Sequence, residues 1–437
     1  MKRLLTLAAS AIVLGSAPVT AQDVVIFNAK LVLGDGSDPI DDGVVVVEDG
    51  KVVYAGTSDG RSFETDQAVD AQGGWVTPGL FAAVTTLGLS DVGAVSESND
   101  QSPGSAPFSA ALDTAPIVNP NSQHILVHRA AGITRAATTT MPSGSIFAGQ
   151  GAIIDLDGDS DPVTGERAFQ MVALGESGAR LSGGSRASAH VLFRAALREA
   201  QALTGARGTP QTTEISIDDE VLLGRFDAEA LVPVVTGAQK LFVAVDRASD
   251  IRAVLALRDD FPRLNLVLVG AGEGWLVADA IAAAGVPVIA DALDDLPESF
   301  EVLAATQSNI GRMTRAGVQV AISANSGENP RNVSQAAGNL VALGRIPGAA
   351  GLSWGQAFAA ISSVPAAISG FEGEAGILAA GSFGDVVIWN GDPLEVGSIP
   401  TRVYIGGVAQ SLENHQSRLR DRYRDLDESD LPKAYDW

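Results

Sequence analysis

The hydrophobic pattern of the chain changes period twice. Between residues 24 and 72, VVIFNAKLVL and VVVVEDGKVVYAG alternate or run apolar with many β-branched residues, and Asp49-Gly50 interrupts the second run. That is strand spacing with a hairpin turn, so this part reads as β. From Pro78 onward, apolar runs alternate with segments of helical spacing. The runs are WVTPGLFAAVTTLG, GITRAATTT, FQMVALG, KLFVAVD, LNLVLVG, VPVIADA and VQVAISA. Near-continuous apolar runs mark parallel strands buried on both faces. Between them, SAHVLFRAALREAQAL puts Phe193, Ala196, Leu197 and Ala200 at helical spacing, with Arg194, Arg198 and Glu199 between. ASDIRAVLALRDD, EGWLVADAIAAAG, Phe300–Ala316 and QAAGNLVALG read as further helices, and one more centres near Leu126. Ser90 to Asp113, rich in Ser, Asp, Gly and Pro, reads as a long loop over one end of the barrel. After Gly370 the β pattern returns in GILAAGSFGDVVIWNGDPL and TRVYIGGVAQSL. Seven such strands are counted this way, one short of an eight-stranded barrel.

Composition adds bounds to this picture. The 437 residues are 46% apolar, enough for one large barrel and a smaller domain. The formal charge of −23 repels nucleic acid and anionic lipid, which excludes both as main partners. Lys2 and Arg3, the apolar run Leu4–Leu14 and the small residues Val19-Thr20-Ala21 form a secretory signal over residues 1–21, cleaved before Gln22. Removing Lys2 and Arg3 takes the charge from −23 to −25. No later stretch has the length and apolarity of a membrane span, so the mature chain is expected to leave the membrane and to be periplasmic or secreted. The absence of cysteine excludes disulfides and thiol catalysis.

The order of these segments resembles the amidohydrolase superfamily, in its imidazolonepropionase-like and prolidase-like branch. The opening strand there reads V-x-P-G-L-I-D-x-H-x-H, against WVTPGLFAAVTTLG here, and the closing motif G-x-L-x-x-G-x-x-A-D-L-V-V matches GILAAGSFGDVV, with Gly384 for the alanine and Asp385 kept. DRASDIRA, AAAGVPVI and AGVQVAI fall in the family's order between them. The resemblance implies an α/β fold: a (β/α)8 TIM-like barrel over 78–370, flanked by a small β-sandwich built from 22–77 and 371–412. Residues 413–437 read as a charged C-terminal tail or surface helix.

The same resemblance implies a metal-bound water for hydrolysing C–N and related bonds, held by histidine or carboxylate at the C-terminal strand ends. Carried over one position at a time, the two opening histidines fall on Val84 and Thr86, the mid-barrel histidine on Ala244, the next near Gly270, and the final aspartate on Asn325. Valine and alanine cannot ligate, a threonine hydroxyl is a poor ligand for a transition metal, and asparagine cannot be a general base. Every carried-over counterpart is replaced. The chain has only four histidines. His415 is in the tail and His190 reads as a structural residue beside Phe193. His124 and His128 have the i, i+4 spacing of a zinc pair, but no glutamate follows and the helix falls outside the barrel.

Other polar residues are expected near the barrel mouth: Asp246, Arg247, Glu273, Asp291, Asn325 and Glu328. Asp246 and Arg247 either bind a small polar ligand or form an ion pair closing the strand end. Asp155, Asp157, Asp159, Asp161 and Glu166 share the carboxylate spacing of an EF-hand calcium loop, although Ser160 stands where its glycine belongs; a solvated acidic hairpin is the alternative. The function expected is that of a metal-free pseudoenzyme needing no cofactor, acting by ligand binding or by association with an active relative or a second copy. The alternative is an active C–N hydrolase, with zinc or another divalent metal or with a site built from Asp246, Glu273 and Asp291.

Overall fold

A computed structural model describes residues 23–61, 63, 65, 67–205, 222–323 and 329–424. The expected signal segment, Asn325, Glu328 and the end of the tail lie outside the described residues.

The chain opens with β1 (Val24–Leu31), β2 (Ile40–Glu48), β3 (Lys51–Thr57), β4 (Gln67–Asp70) and β5 (Trp75–Pro78). Asp49 and Gly50 join β2 to β3 with φ of 49° and 75°, the left-handed pair that a tight hairpin needs. The barrel follows: β6 (Leu80–Thr85), β7 (Ile133–Thr138), β8 (Phe147–Asp155), β9 (Val163–Ala173), β10 (Lys240–Val245), β11 (Asn265–Gly270), β12 (Val288–Ala290) and β13 (Val320–Ile322). Then β14 (Val386–Trp389), β15 (Pro400–Ile405) and β16 (Val408–Ala409) return to the first sheet. That sheet runs β16-β15-β14-β5-β1-β2-β3, with β4 also on β1. Residues from both chain ends, among them Val24, Ile26, Val47, Val386 and Tyr404, share its core.

The barrel sheet runs in sequence order from β6 to β13. Its strands alternate faces. Phe81, Ala137, Phe169, Phe242, Val267, Ile289 and Ala321 fill the interior, where Phe169 and Phe242 stack at 4.2 Å. Leu80, Ala136, Val172, Val243, Leu268, Val288 and Val320 pack outward with the helices. Strands β6 and β13 do not pair directly. Phe81 N–H donates to Ile361 C=O and Ile322 N–H to Ala360 C=O, so the segment at 360–361 completes the ring.

The eighth strand is β8. It pairs antiparallel with both β7 and β9, so the barrel is not wholly parallel as its apolar runs imply. FAGQGAIID carries four small residues and a glutamine among its apolar ones, and a hairpin rather than a helix links it to β9. A second correction concerns the helix expected over Phe300–Ala316. It covers only Asn309–Arg315. Ala304 N–H donates to Glu273 Oε1 at 3.1 Å and its carbonyl accepts the Trp275 indole N–H at 2.8 Å, so its backbone groups are diverted from a helical ladder.

Arg135 of the barrel makes two contacts with the small sheet. Its Nε donates to the buried Asp385 carboxylate at 2.8 Å, and its guanidinium lies 3.8 Å from the Phe383 ring centre; Asp385 also accepts Gly406 N–H at 2.9 Å within the sheet. The aspartate of the closing motif therefore pins barrel strand β7 to the small sheet. Gly384 beside it has no room for a methyl group: a Cβ would stand 2.5 Å from Val47 Cγ1 and 2.9 Å from Gly407 N. At Gly79, in the Pro78-Gly79 turn, a Cβ would collide with Thr134. Beneath the barrel, Ala366 and Ile368 of the helix Ser363–Ser369 enter the interior cluster. Lys240 donates to the carbonyls of Ala367 and Ile368 at that helix's C-terminal end, where a cation is favourable.

Candidate functional site

The C-terminal ends of the barrel strands are where such folds collect reactive groups. At the end of β6, Val84 adopts φ of 47°, a left-handed conformation rarely taken by a β-branched residue. The β6–β7 register is irregular between Ala82 and Thr85, and Val84 points into the interior cluster with Met171. Thr86 is buried and its hydroxyl has no hydrogen-bond partner, as with Thr139. Ala244 stands level with Val269 on β11, and both pack against the interior cluster. The inward residue beside Ala244 is thus Val269. Gly270, with φ of 91°, leaves no room for a side chain, since a Cβ there would displace the Asp246 carboxylate. Val84, Thr86, Ala244 and Val269 offer one hydroxyl among hydrocarbon. These residues do not fit a transition-metal ion, which needs imidazole or carboxylate donors.

The acidic candidates occupy distinct settings. Asp246 follows β10 and accepts Gly272 N–H at 3.1 Å through Oδ1. Burial raises its pKa to about 6, opposed by that hydrogen bond and reinforced by Glu301, Asp291 and Asp294. Burial also raises Asp291, against a hydrogen bond from Ser323. Asp294 rises by burial and by the charge of Asp291. Glu273 is committed elsewhere: Oε2 accepts Ala248 N–H at 3.0 Å, at the start of the helix Ala248–Leu255, and Oε1 accepts Ala304 N–H. Arg247 does not pair with Asp246. It donates to Asp250 at 2.7 Å.

Two groups the sequence reading passed over shape this face. Arg186 bridges Asp250 at 2.9 Å and Glu301 at 3.0 Å. Glu301 also accepts Glu176 N–H at 2.7 Å. With the Glu273–Ala304 bond, these contacts hold the segment 291–308 against the loops that follow β9 and β11. No motif marks Arg186 or Glu301, since each lies far in sequence from its partners. Beside the segment, at the ends of β12 and β13, a cavity of about 310 Å³ is lined by Asp291, Asp294, Ser323, Asn329, Asn332 and Gln335.

The remaining candidates lie away from the mouth. His128 is buried on the outer helix Gln123–Ala130, donates from Nδ1 to His124 C=O at 2.6 Å, and has its pKa lowered to about 4 by burial. His190 is half-buried and also lowered by burial. The run from Asp155 to Glu166 is the β8–β9 hairpin and the strand after it. Asp155 turns toward Arg135 at 3.9 Å, while Asp157 and Asp159 accept the N–H groups two residues on. Glu166 is exposed on β9. Among the described residues, no three His, Asp or Glu side chains converge as a metal site.

The barrel flanked by a sheet from both chain ends is the fold of a solved amidohydrolase. The chain superposes on the crystal structure of an amidohydrolase from Thermotoga maritima MSB8 with a TM-score of 0.76 and 21% identity, over 88% of this chain and 99% of that one. Locally it is 40% identical over 60 residues to amidohydrolase tasK of Hapsidospora irregularis, and 40% identical over 55 residues to an imidazolonepropionase of Rhizorhabdus wittichii. Those stretches are 14% and 12% of this chain, and only 6% and 14% of the two relatives' lengths. No protein-family model matches the chain.

Proposed function

We propose that this chain is a metal-free, non-hydrolytic amidohydrolase-fold protein that binds a small polar ligand at the barrel mouth. The observation that carries the reading is the packing at the strand ends. Val84 and Ala244, at positions where the resemblance puts metal ligands, are part of or packed on the hydrocarbon interior with Met171 and Val269. The polar cavity beside Asp291 offers carboxylate, hydroxyl and amide groups to a ligand rich in hydrogen-bond donors. The basic and apolar N-terminal segment supports export, to the periplasm or beyond.

The reading is tested by reconstruction. The quadruple variant Val84→His, Thr86→His, Ala244→His and Asn325→Asp is titrated calorimetrically with zinc beside the parent chain. The parent is expected to give no saturable heat and the variant a site near one equivalent. A parent chain that itself binds zinc at one equivalent contradicts the proposal.

A further inference from the structure

The segment 291–308 is built inside out. Glu301 and Ala304 are spent on the protein, on Arg186 and Glu176 N–H and on Glu273 and Trp275, and one oxygen of Asp295 accepts Gln307 N–H. Val302 alone among its large apolar residues turns inward, against Gly272. The others face solvent. Leu293, Leu296, Phe300 and Leu303 are 47%, 74%, 83% and 62% exposed, all within the eleven residues from 293 to 303. A pinned segment that presents four large apolar side chains has the composition of a contact surface, with an aromatic anchor in Phe300. Between them stand Asp294, Asp295 and Glu298, and residues 291–308 contain no lysine or arginine.

We propose that this segment is a docking surface for a basic amphipathic partner, whose apolar side chains cover Leu296 and Phe300 and whose lysines or arginines face Asp294, Asp295 and Glu298. The charge selects that occupant. A second copy docked symmetrically would bring the same three carboxylates against each other, on chains that already carry −23 each. A cationic partner removes that repulsion and uses it for steering. The surface lies on the barrel's C-terminal face, so a bound partner stands over the mouth. This inference does not depend on whether the barrel hydrolyses a substrate.

The test uses the full mature chain and two synthetic peptides of equal charge, one a leucine–lysine amphipathic helix and the other its counterpart with serine for every leucine. Affinity is read by fluorescence anisotropy at two salt concentrations. The leucine–lysine peptide is expected to bind at least tenfold tighter than the serine peptide, and to weaken with salt. The double variant L296S/F300S is expected to lose that tenfold advantage. The triple variant D294N/D295N/E298Q is expected to lose most of the salt dependence. Equal binding of both peptides, or undiminished binding by L296S/F300S with its thermal melt unchanged, overturns the proposal and leaves general attraction to an acidic surface. A concentration-dependent dimer in sedimentation that L296S/F300S abolishes also overturns it, in favour of a second copy.

Discussion

At the residue scale, Val84 condenses the account. A left-handed valine costs on the order of 1–3 kcal/mol, and it persists here because its side chain is packed in the barrel interior. Replacing it by glycine removes both the strain and the contacts. Val84→Gly is expected to stay within about 1 kcal/mol of the parent in denaturant unfolding, whereas Val267→Gly, which sheds contacts from an ordinary strand, should cost about 3 kcal/mol or more. Equal losses would show that Val84 carries no strain. The sequence reading placed Val84, Thr86 and Ala244 from the order of the motifs around them. Neither the left-handed angle of Val84, beside the β6–β7 irregularity, nor the lack of room for a side chain at Gly270 next to Asp246 is legible in the sequence.

Titration belongs to the same scale. Asp155 has its pKa raised to about 7 by burial, with Asp157 adding and Arg135 opposing, and Asp246 is raised to about 6. Both folded values exceed the ordinary 3.8, so the folded state holds the protons more tightly. Their stabilising contribution is complete below pH 3.8 and is lost as pH rises through 6 and 7. The Asp155→Asn variant cannot lose that proton. Between pH 5 and about 7.5 its stability, measured against the parent by urea unfolding, should fall less steeply. Parallel profiles would remove Asp155 from the explanation.

At the element scale, the joint between barrel and sheet contains a buried ion pair set among apolar contacts. Arg135 and Asp385 are 250 residues apart, both nearly solvent-free, and 2.8 Å apart at their closest. Breaking such a pair from one side leaves a buried charge uncompensated, at a cost of about 3–5 kcal/mol, whereas removing both charges costs less. Arg135→Met is therefore expected to lose about that much stability, and Arg135→Met with Asp385→Leu to recover part of it in thermal unfolding. A double variant at or below the single would contradict the pin. Elements with one clean period were readable: the parallel strands, the helix Arg186–Gly205 and the hairpin at Asp49-Gly50. Strand β8 was not, because glycines and Gln150 blur its alternation and it lacks the helix that follows its neighbours. Residues 300–308, expected to be helical as part of Phe300–Ala316, are not helix. Ion pairs and backbone contacts from distant residues decide their path instead.

At the scale of the whole molecule, the fold follows from pattern and order, while the site is defined by what the strand ends lack. Apolar residues in register make the barrel, and those same residues extend to the positions where the fold's relatives are expected to hold a metal. The central claim is that the mature protein binds no catalytic metal. Elemental analysis tests it most directly, on chain purified without affinity metal after growth with zinc, iron and manganese supplied. The account predicts each metal well below one equivalent per chain; any one of them retained near one equivalent through dialysis against a mild chelator would contradict it.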